Sequence, residues 1–386
     1  ISGWQIANQQ AVAWAANAPL FDLNGHNNLH FRDLVLEYRD LGQPDPSKLL
    51  RAAFVNGAGQ WSSCSFIKME NVYLVNFHES LTPSFVAANA FIHFTQGTAR
   101  NWHIKDCSTQ STDVGIYFGG DHTDGITVEA VYDVIIENCF ISGVWEIGDD
   151  TLVGDHRVQF QQGLNSLGRP EPYGGIILVT EGNGSGNIVR GCHITNWAGF
   201  GILDNFGGSH LYEGNHINQT GDVGIYVGSA AMFFSGTGSQ NRIAHNVLEE
   251  VHGLDLTGPP GTVNQFAVDG FPVADKRGIF VQDSSETTII GNYVEISQPS
   301  VTRDNDIWVG GISCVAIGNV LFSSSAFSST DAVDFIFADN NVVGGGDFQG
   351  SPTIASNCVF GGQVRVSDLS FILNSYLKAT ITSTGT

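Results

Sequence analysis

The feature that most constrains this chain is a short strand that opens on glycine and an aliphatic residue and returns at nearly constant intervals. It stands at Gly125-Ile126, Gly175-Ile176, Gly201-Ile202, Gly224-Ile225, Gly253-Leu254 and Gly278-Ile279, with Thr151-Leu152 as a variant, at steps of 23 to 29 residues. A second mark runs beside it: Cys107, Cys139, Cys192, Asn215, Asn246, Asn292, Asn319 and Asn341 each lead into an alternating apolar strand. The two marks lie 14 residues apart at Gly125–Cys139, Gly201–Asn215 and Gly278–Asn292. Marks that keep both period and phase point to stacked units, each too small to bury its own apolar face.

Period-2 spacing, as in Val134 with Ile136 and Thr288 with Ile290, marks those units as strands. The chain therefore reads as all-β: one right-handed parallel β-helix over residues 1–386, with about 25 residues per coil. Ile126, Ile176, Ile202, Ile225 and Ile279 then stack as an inward ladder. Asn at a fixed turn position bonds backbone groups and tolerates left-handed geometry. Cys107, Cys139 and Cys192 share that slot, so they read as small buried residues with free thiols. Composition agrees, with 47 glycines and 14% charged residues. Helical signal is confined to Ile6–Ala16, which makes residues 1–20 an expected N-terminal cap. Val301–Val315 and Ser323–Ser329 read as loop insertions, and 379–386 as a polar tail. The start on Ile1 reads as that of a processed chain or a piece of a longer protein.

A formal net charge of −22 leaves no basic footprint for nucleic acid. No uninterrupted apolar run reaches the ~18 residues of a membrane helix, so no membrane insertion is expected. Gly182-Asn-Gly-Ser-Gly lacks the lysine of a phosphate loop. No His-Glu-x-x-His, zinc-spaced cysteine pair or Gly-x-Ser-x-Gly elbow occurs, so no metal is expected.

The residues just before each Gly-Ile strand line one outer edge. In chain order they are Asp124, Asp149-Asp150, Tyr173, Phe200, Asp222, His252 and Lys276-Arg277. In this register Asp124 and Asp149-Asp150 fall on adjacent coils, ~4.8 Å apart in height. Like charges that close push their pKa values apart, leaving one carboxyl protonated and another ionised. Glycoside hydrolysis needs that split. Glu181, Asp204 and Asp222 form a reserve set of acids, and His122 and Glu146 lie beside the first group.

His122-Thr-Asp-Gly-Ile-Thr-Val, with Gly148-Asp149-Asp150 after it, resembles the core of the polygalacturonase-like glycoside hydrolases. The resemblance implies Asp149 as general acid, and Asp124 with Asp150 holding the attacking water in an inverting reaction. His122 stands where that family has Asn. Its basic motifs are replaced by Pro172-Tyr173-Gly174-Gly175 and Gly199-Phe200-Gly201. The expected substrate is accordingly a neutral polysaccharide or oligosaccharide, with Tyr173, Trp197 and Phe200 as stacking platforms. A polysaccharide lyase, which would use Ca²⁺ held by acidic residues, is the first alternative. Phage tailspike depolymerases are the second resemblance, and imply glycan binding, a homotrimer and a virion surface. The setting expected otherwise is extracellular.

Overall fold

The computed structural model describes residues 21–23, 25–37, 52–55, 63–75, 90–94, 98–109, 114–118, 131–143, 174–179, 184–197, 200–205, 208–220, 223–228, 238–251, 277–296, 305–323, 326–329, 332, 334–348, 353–366, 370–377 and 381–383. Residues 1–20, the expected cap, lie outside them. Every ordered element among them is a strand, and the strand pairs are parallel.

Each coil contributes one strand to a first sheet and two short strands to a second. The first sheet runs from Phe21–Asp22 through Val114–Phe118, Gly174–Val179, Phe200–Asn205, Val223–Gly228, Arg277–Ser285 and Asn305–Ile312 to Ile381–Ser383. The second sheet holds two strand columns. Ile135–Glu137 pairs with Ile188–Arg190 in one, and Phe140–Ser142 with His193–Trp197 in the other. A two-residue bend such as Asn138-Cys139 joins the columns. The first residue of that bend takes positive φ at Asp106, Asn138, Asp339 and Asn357. Asn and Asp pay little for this geometry, and a sharp bend there closes the coil on itself.

The interior is a set of ladders in which like stacks on like. Ile92, Ile116, Ile176, Ile202, Ile225, Ile279 and Ile307 pair in direct register and are buried. Each such side chain contributes roughly 1.5–3 kcal/mol on burial. The glycine before the isoleucine is a packing requirement. A Cβ on Gly201 would stand 2.6 Å from Ile217 Cγ2, and one on Gly224 would stand 2.5 Å from Leu248 Cδ2. The first sheet thus presses its backbone against the aliphatic ladder opposite.

This register corrects the sequence-based one at two coils. Ile116 pairs with Ile92 on one side and Ile176 on the other, so neither Gly125-Ile126 nor Thr151-Leu152 can be a rung between them. Ile225 likewise pairs directly with Ile279, which removes Gly253-Leu254 from the ladder. Val301–Val315 is not a loop insertion, because Asn305–Ile312 is a full rung with Asp306 in the glycine slot. Phe327–Ser328, inside the supposed Ser-rich loop, is a rung with Phe327 in the isoleucine position. The expected tail contributes Ile381–Ser383 to the first sheet, paired with Val364–Val366. Thr288 and Ile290 face outward, and Ile289 between them is the buried one.

The second ladder is polar and satisfied. Asn246 Nδ2 donates to Tyr212 O at 2.9 Å, and its Oδ1 accepts from the Asn215 backbone N–H at 2.9 Å. Asn292, Asn319 and Asn340 repeat the pattern on the following coils. The member there is Asn340, not Asn341, which is exposed. Cys139 and Cys192 aim their thiols at the matching carbonyls of Ile104 and Ile136, both at 3.7 Å. All six cysteines are free and buried, as the shared slot implied. Burial pushes the Cys64 thiol up to about 12 and the Cys314 thiol up to about 11, which leaves both inert as nucleophiles.

Candidate functional site

The long connections cluster around one sheet. Residues 119–130 leave the strand Val114–Phe118, and 144–173 enter the strand Gly174–Val179. Residues 229–237 leave Val223–Gly228, and 252–276 enter Arg277–Ser285. The two columns of the second sheet, by contrast, are joined by two-residue bends from coil to coil. Insertions in a solenoid map to its loops, and these border the first sheet at both of its edges.

The expected site residues are distributed by this topology. Asp124 and His122 lie in 119–130. Glu146, Asp149, Asp150 and Tyr173 lie in 144–173, Glu181 in 180–183 and Asp222 in 221–222. All eight fall outside the described residues, and all belong to connections at the edges of the first sheet. Asp124 follows the C-terminal end of one strand, whereas Asp149 and Asp150 precede the N-terminal end of the next. The shared coil phase that linked them in the sequence is therefore absent, and any meeting depends on the connections themselves.

Three expected residues are described, and none is a surface group. Trp197 is 2% exposed and its indole N–H donates to Ile141 O at 3.3 Å. Phe200 is buried edge-on against Tyr226, with ring centroids 6.0 Å apart. Neither can serve as a stacking platform, because each ring is packed among neighbouring coils. Asp204 is wholly buried and occupies a rung of an aliphatic ladder, Leu178–Asp204–Val227–Val281–Val309. The Tyr212 phenol is its hydrogen-bonding neighbour inside the coil. It therefore drops out of the reserve acids: two residues after inward Ile202, it shares that inward direction. Burial, then the Asp204 carboxylate nearby, raises the pKa of the Tyr212 phenol well above its usual value.

The outer face of the first sheet carries a cluster that sequence reasoning missed. Leu203, Tyr226, Phe280 and Trp308 form one outward column on four successive coils. Tyr226 and Phe280 meet edge to face at 5.0 Å, and Phe280 and Trp308 at 4.6 Å. The Arg277 guanidinium lies 3.9 Å from the Phe280 ring centroid and 4.8 Å from that of Trp308. Such cation–π contacts are each worth about 1 kcal/mol, and more when desolvated. Tyr226 Oη donates to Gln282 Oε1 at 3.2 Å. Its phenol is held well above the usual range by burial, with Asp283 adding and Arg277 opposing. Tyr226, Phe280 and Arg277 are buried, whereas Trp308 is half-buried. The signal was present, since each ring directly follows a ladder isoleucine in Ile225-Tyr226, Ile279-Phe280 and Ile307-Trp308.

Among the described residues no three His, Cys, Asp or Glu side chains converge as a metal site. No helix among them is long and apolar enough to cross a membrane.

No curated protein matches the sequence. Among solved structures, the lidless DFA-IIIase of Arthrobacter chlorophenolicus A6, in complex with GF2, is 10% identical with a TM-score of 0.42. That alignment covers 88% of this chain and 73% of the enzyme. The A-module of the mannuronan C-5 epimerase AlgE6 of Azotobacter vinelandii is 11% identical with a TM-score of 0.41, over 92% and 89% of the two chains. The tailspike of E. coli bacteriophage HK620, in complex with a hexasaccharide, is 11% identical with a TM-score of 0.43, over 92% and 65%. A family model described as the right-handed beta helix region matches residues 90–298. Its span is more than half of the chain and agrees with the parallel sheets and stacked ladders: this protein belongs to the right-handed β-helix family.

Proposed function

We propose that the protein is an extracellular glycoside hydrolase acting on a neutral polysaccharide held by the long connections that border the first sheet. The observation that carries this reading is that the first sheet is bordered by the long connections in which the candidate acids stand. The first-choice acids Asp124, Asp149 and Asp150 all lie in those connections. In their proposed roles Asp149 protonates the leaving oxygen while Asp124 and Asp150 direct water, as in inverting hydrolysis. His122, Glu146 and Tyr173, in the same connections, would contact the sugar. Arg277 supports a neutral glycan: its guanidinium is stacked on two rings and buried, so it offers no open cation to a sugar carboxylate.

The test is a panel of neutral and uronic glycans assayed for new reducing ends. Asp149→Asn is expected to slow release by ~10³-fold, the scale of a lost general acid. Cleavage unchanged in that variant would sink the assignment. Products carrying a new double bond, formed only with Ca²⁺ present, would replace hydrolysis by a lyase reaction. Retention on immobilised glycan without any cleavage would leave a binding role of the tailspike kind.

A further inference from the structure

The outer face of the second sheet changes character along the solenoid axis. Up to Val247–Val251 its strands carry charges that pair from coil to coil, in the register Arg32–Glu70–Lys105–Glu137–Arg190–Glu213. From Thr288–Ile290 to Tyr376–Leu377 the ten strands of the same two columns contain no charged residue. Their outward positions, with Thr288, Asn341 and Ser356 as polar exceptions, and the residues beside them carry large apolar side chains. Ile336, Val343, Ile354, Val359, Leu373 and Tyr376 are between 41% and 64% exposed. Among the described residues, eight of the twelve large apolar residues that are exposed lie from Ile312 to Tyr376. The nearby carboxylates among the described residues, Glu286, Glu295, Asp334 and Asp339, stand beside the strands, not within them.

Size and charge decide what this face suits. Five coils at ~4.8 Å, with two strips each ~10 Å wide, give a projected area of roughly 500 Å². That is at the upper end of what a monomer leaves open. Tyr293 and Tyr376 stand on the first and last coils of the face; the aliphatic side chains between them offer a sugar neither a flat ring nor a hydrogen bond, so the occupant is protein. With a net charge of −22, two copies of this chain repel each other over most of their surfaces. The strands of this face are free of that repulsion. Periodicity singles out the partner: rows of β-branched side chains repeating every ~4.8 Å interdigitate with another surface of the same repeat. A second solenoid has that repeat. Two copies contributing both strips would together bury ~1,000 Å², the threshold of a specific interface.

We propose that a second copy of this chain packs on the uncharged strips of the C-terminal coils, so that the protein self-associates there. The proposal is independent of the catalytic reading. It is tested by sedimentation of the full chain over a range of concentrations. The wild type is expected to sediment as an oligomer, and Ile354→Glu/Val359→Glu as a monomer with an unchanged circular dichroism spectrum. Tyr376→Arg, at a position 64% exposed and so remote from the core, guards against a folding defect and is also expected to shift towards monomer. Val35→Glu, on an exposed residue of the N-terminal coils, is expected to leave the oligomer intact. A wild type that is monomeric at every concentration would overturn the proposal, as would an oligomer that survives both substitutions.

Discussion

The two ends of the second sheet share one interior and differ in their exteriors. Inside, the asparagine ladder runs from Asn215 to Asn340 with the same donor and acceptor pattern, crossing the point where the outside changes. Outside, the N-terminal coils bind charge to charge. Glu137 accepts from His103 Nε2 at 2.9 Å and from Arg190 Nε at 2.8 Å, with Lys105 at 3.7 Å. The C-terminal coils show Ile336, Ile354 and Val359 instead. The interior repeats because each coil must present its neighbours with the surface they present to it. The exterior is released from that rule, and its composition reports what each stretch faces.

The comparison breaks first if the interiors are unequal. Asn215→Ala strands the Val189 carbonyl and the Cys192 N–H, and Asn319→Ala strands those of Ile289 and Asn292. At roughly 1–3 kcal/mol per buried unsatisfied group, each is expected to cost about 3 kcal/mol. Denaturant titration of the two variants should give nearly equal losses.

A sharper contrast comes from two carboxylates with opposite responses to acid. Asp306 is buried and accepts from the Ser323 N–H at 2.8 Å and from the Ser323 hydroxyl. Burial pushes its pKa from 3.8 up to about 7. A raised acid is better protonated when folded, so its contribution is fully present below about pH 4 and is lost as pH rises to about 7. The upper bound of that loss is about 4 kcal/mol at 1.36 kcal/mol per unit. Asp306→Asn should flatten this slope in melts from pH 4 to pH 8. Glu137 is lowered, chiefly by the hydrogen bond from Arg190 and then by that from His103. Its contribution is present above its unfolded value near 4.5 and is lost as pH falls further. Glu137→Gln should therefore remove stability at neutral pH, by about 1–2 kcal/mol, and blunt acid unfolding.

The smallest effect is expected at the exterior of the C-terminal coils. Ile336→Glu should change the stability of a dissociated chain by no more than ~0.5 kcal/mol, as for an open surface position. A cost comparable to that of Glu137→Gln would show that Ile336 supports its own coil, and the contrast between the two ends would lapse.

Much of the fold was legible in the residue order. The Gly-Ile marks at Gly175, Gly201, Gly224 and Gly278 and the Asn marks from Asn215 to Asn319 located their coils, and Cys139 in an Asn slot foretold a buried free thiol. These are local repeats, and stacking writes them into the sequence because each rung demands the same residue type as its neighbour. Less of the site was legible. Asp124 and Asp149 took their alignment from a coil count that treated every 25 or so residues as one rise. Ile116 pairs with Ile176 across 60 residues, however. A connection of any length leaves the two strands ~4.8 Å apart, so distance along the chain does not measure height along the axis. Direction escaped for a related reason: a shift of one residue turns a side chain from the surface to the core. Sequence alone determined that this chain winds into a β-helix with free thiols inside it. Only the tertiary structure decided that Asp204 and Trp197 face inward, that Tyr226, Phe280 and Trp308 meet edge to face with Arg277 over the last two, and that the C-terminal coils leave their apolar strips open. Those outcomes depend on which strands become neighbours, and backbone pairing sets that after the insertions have been looped out.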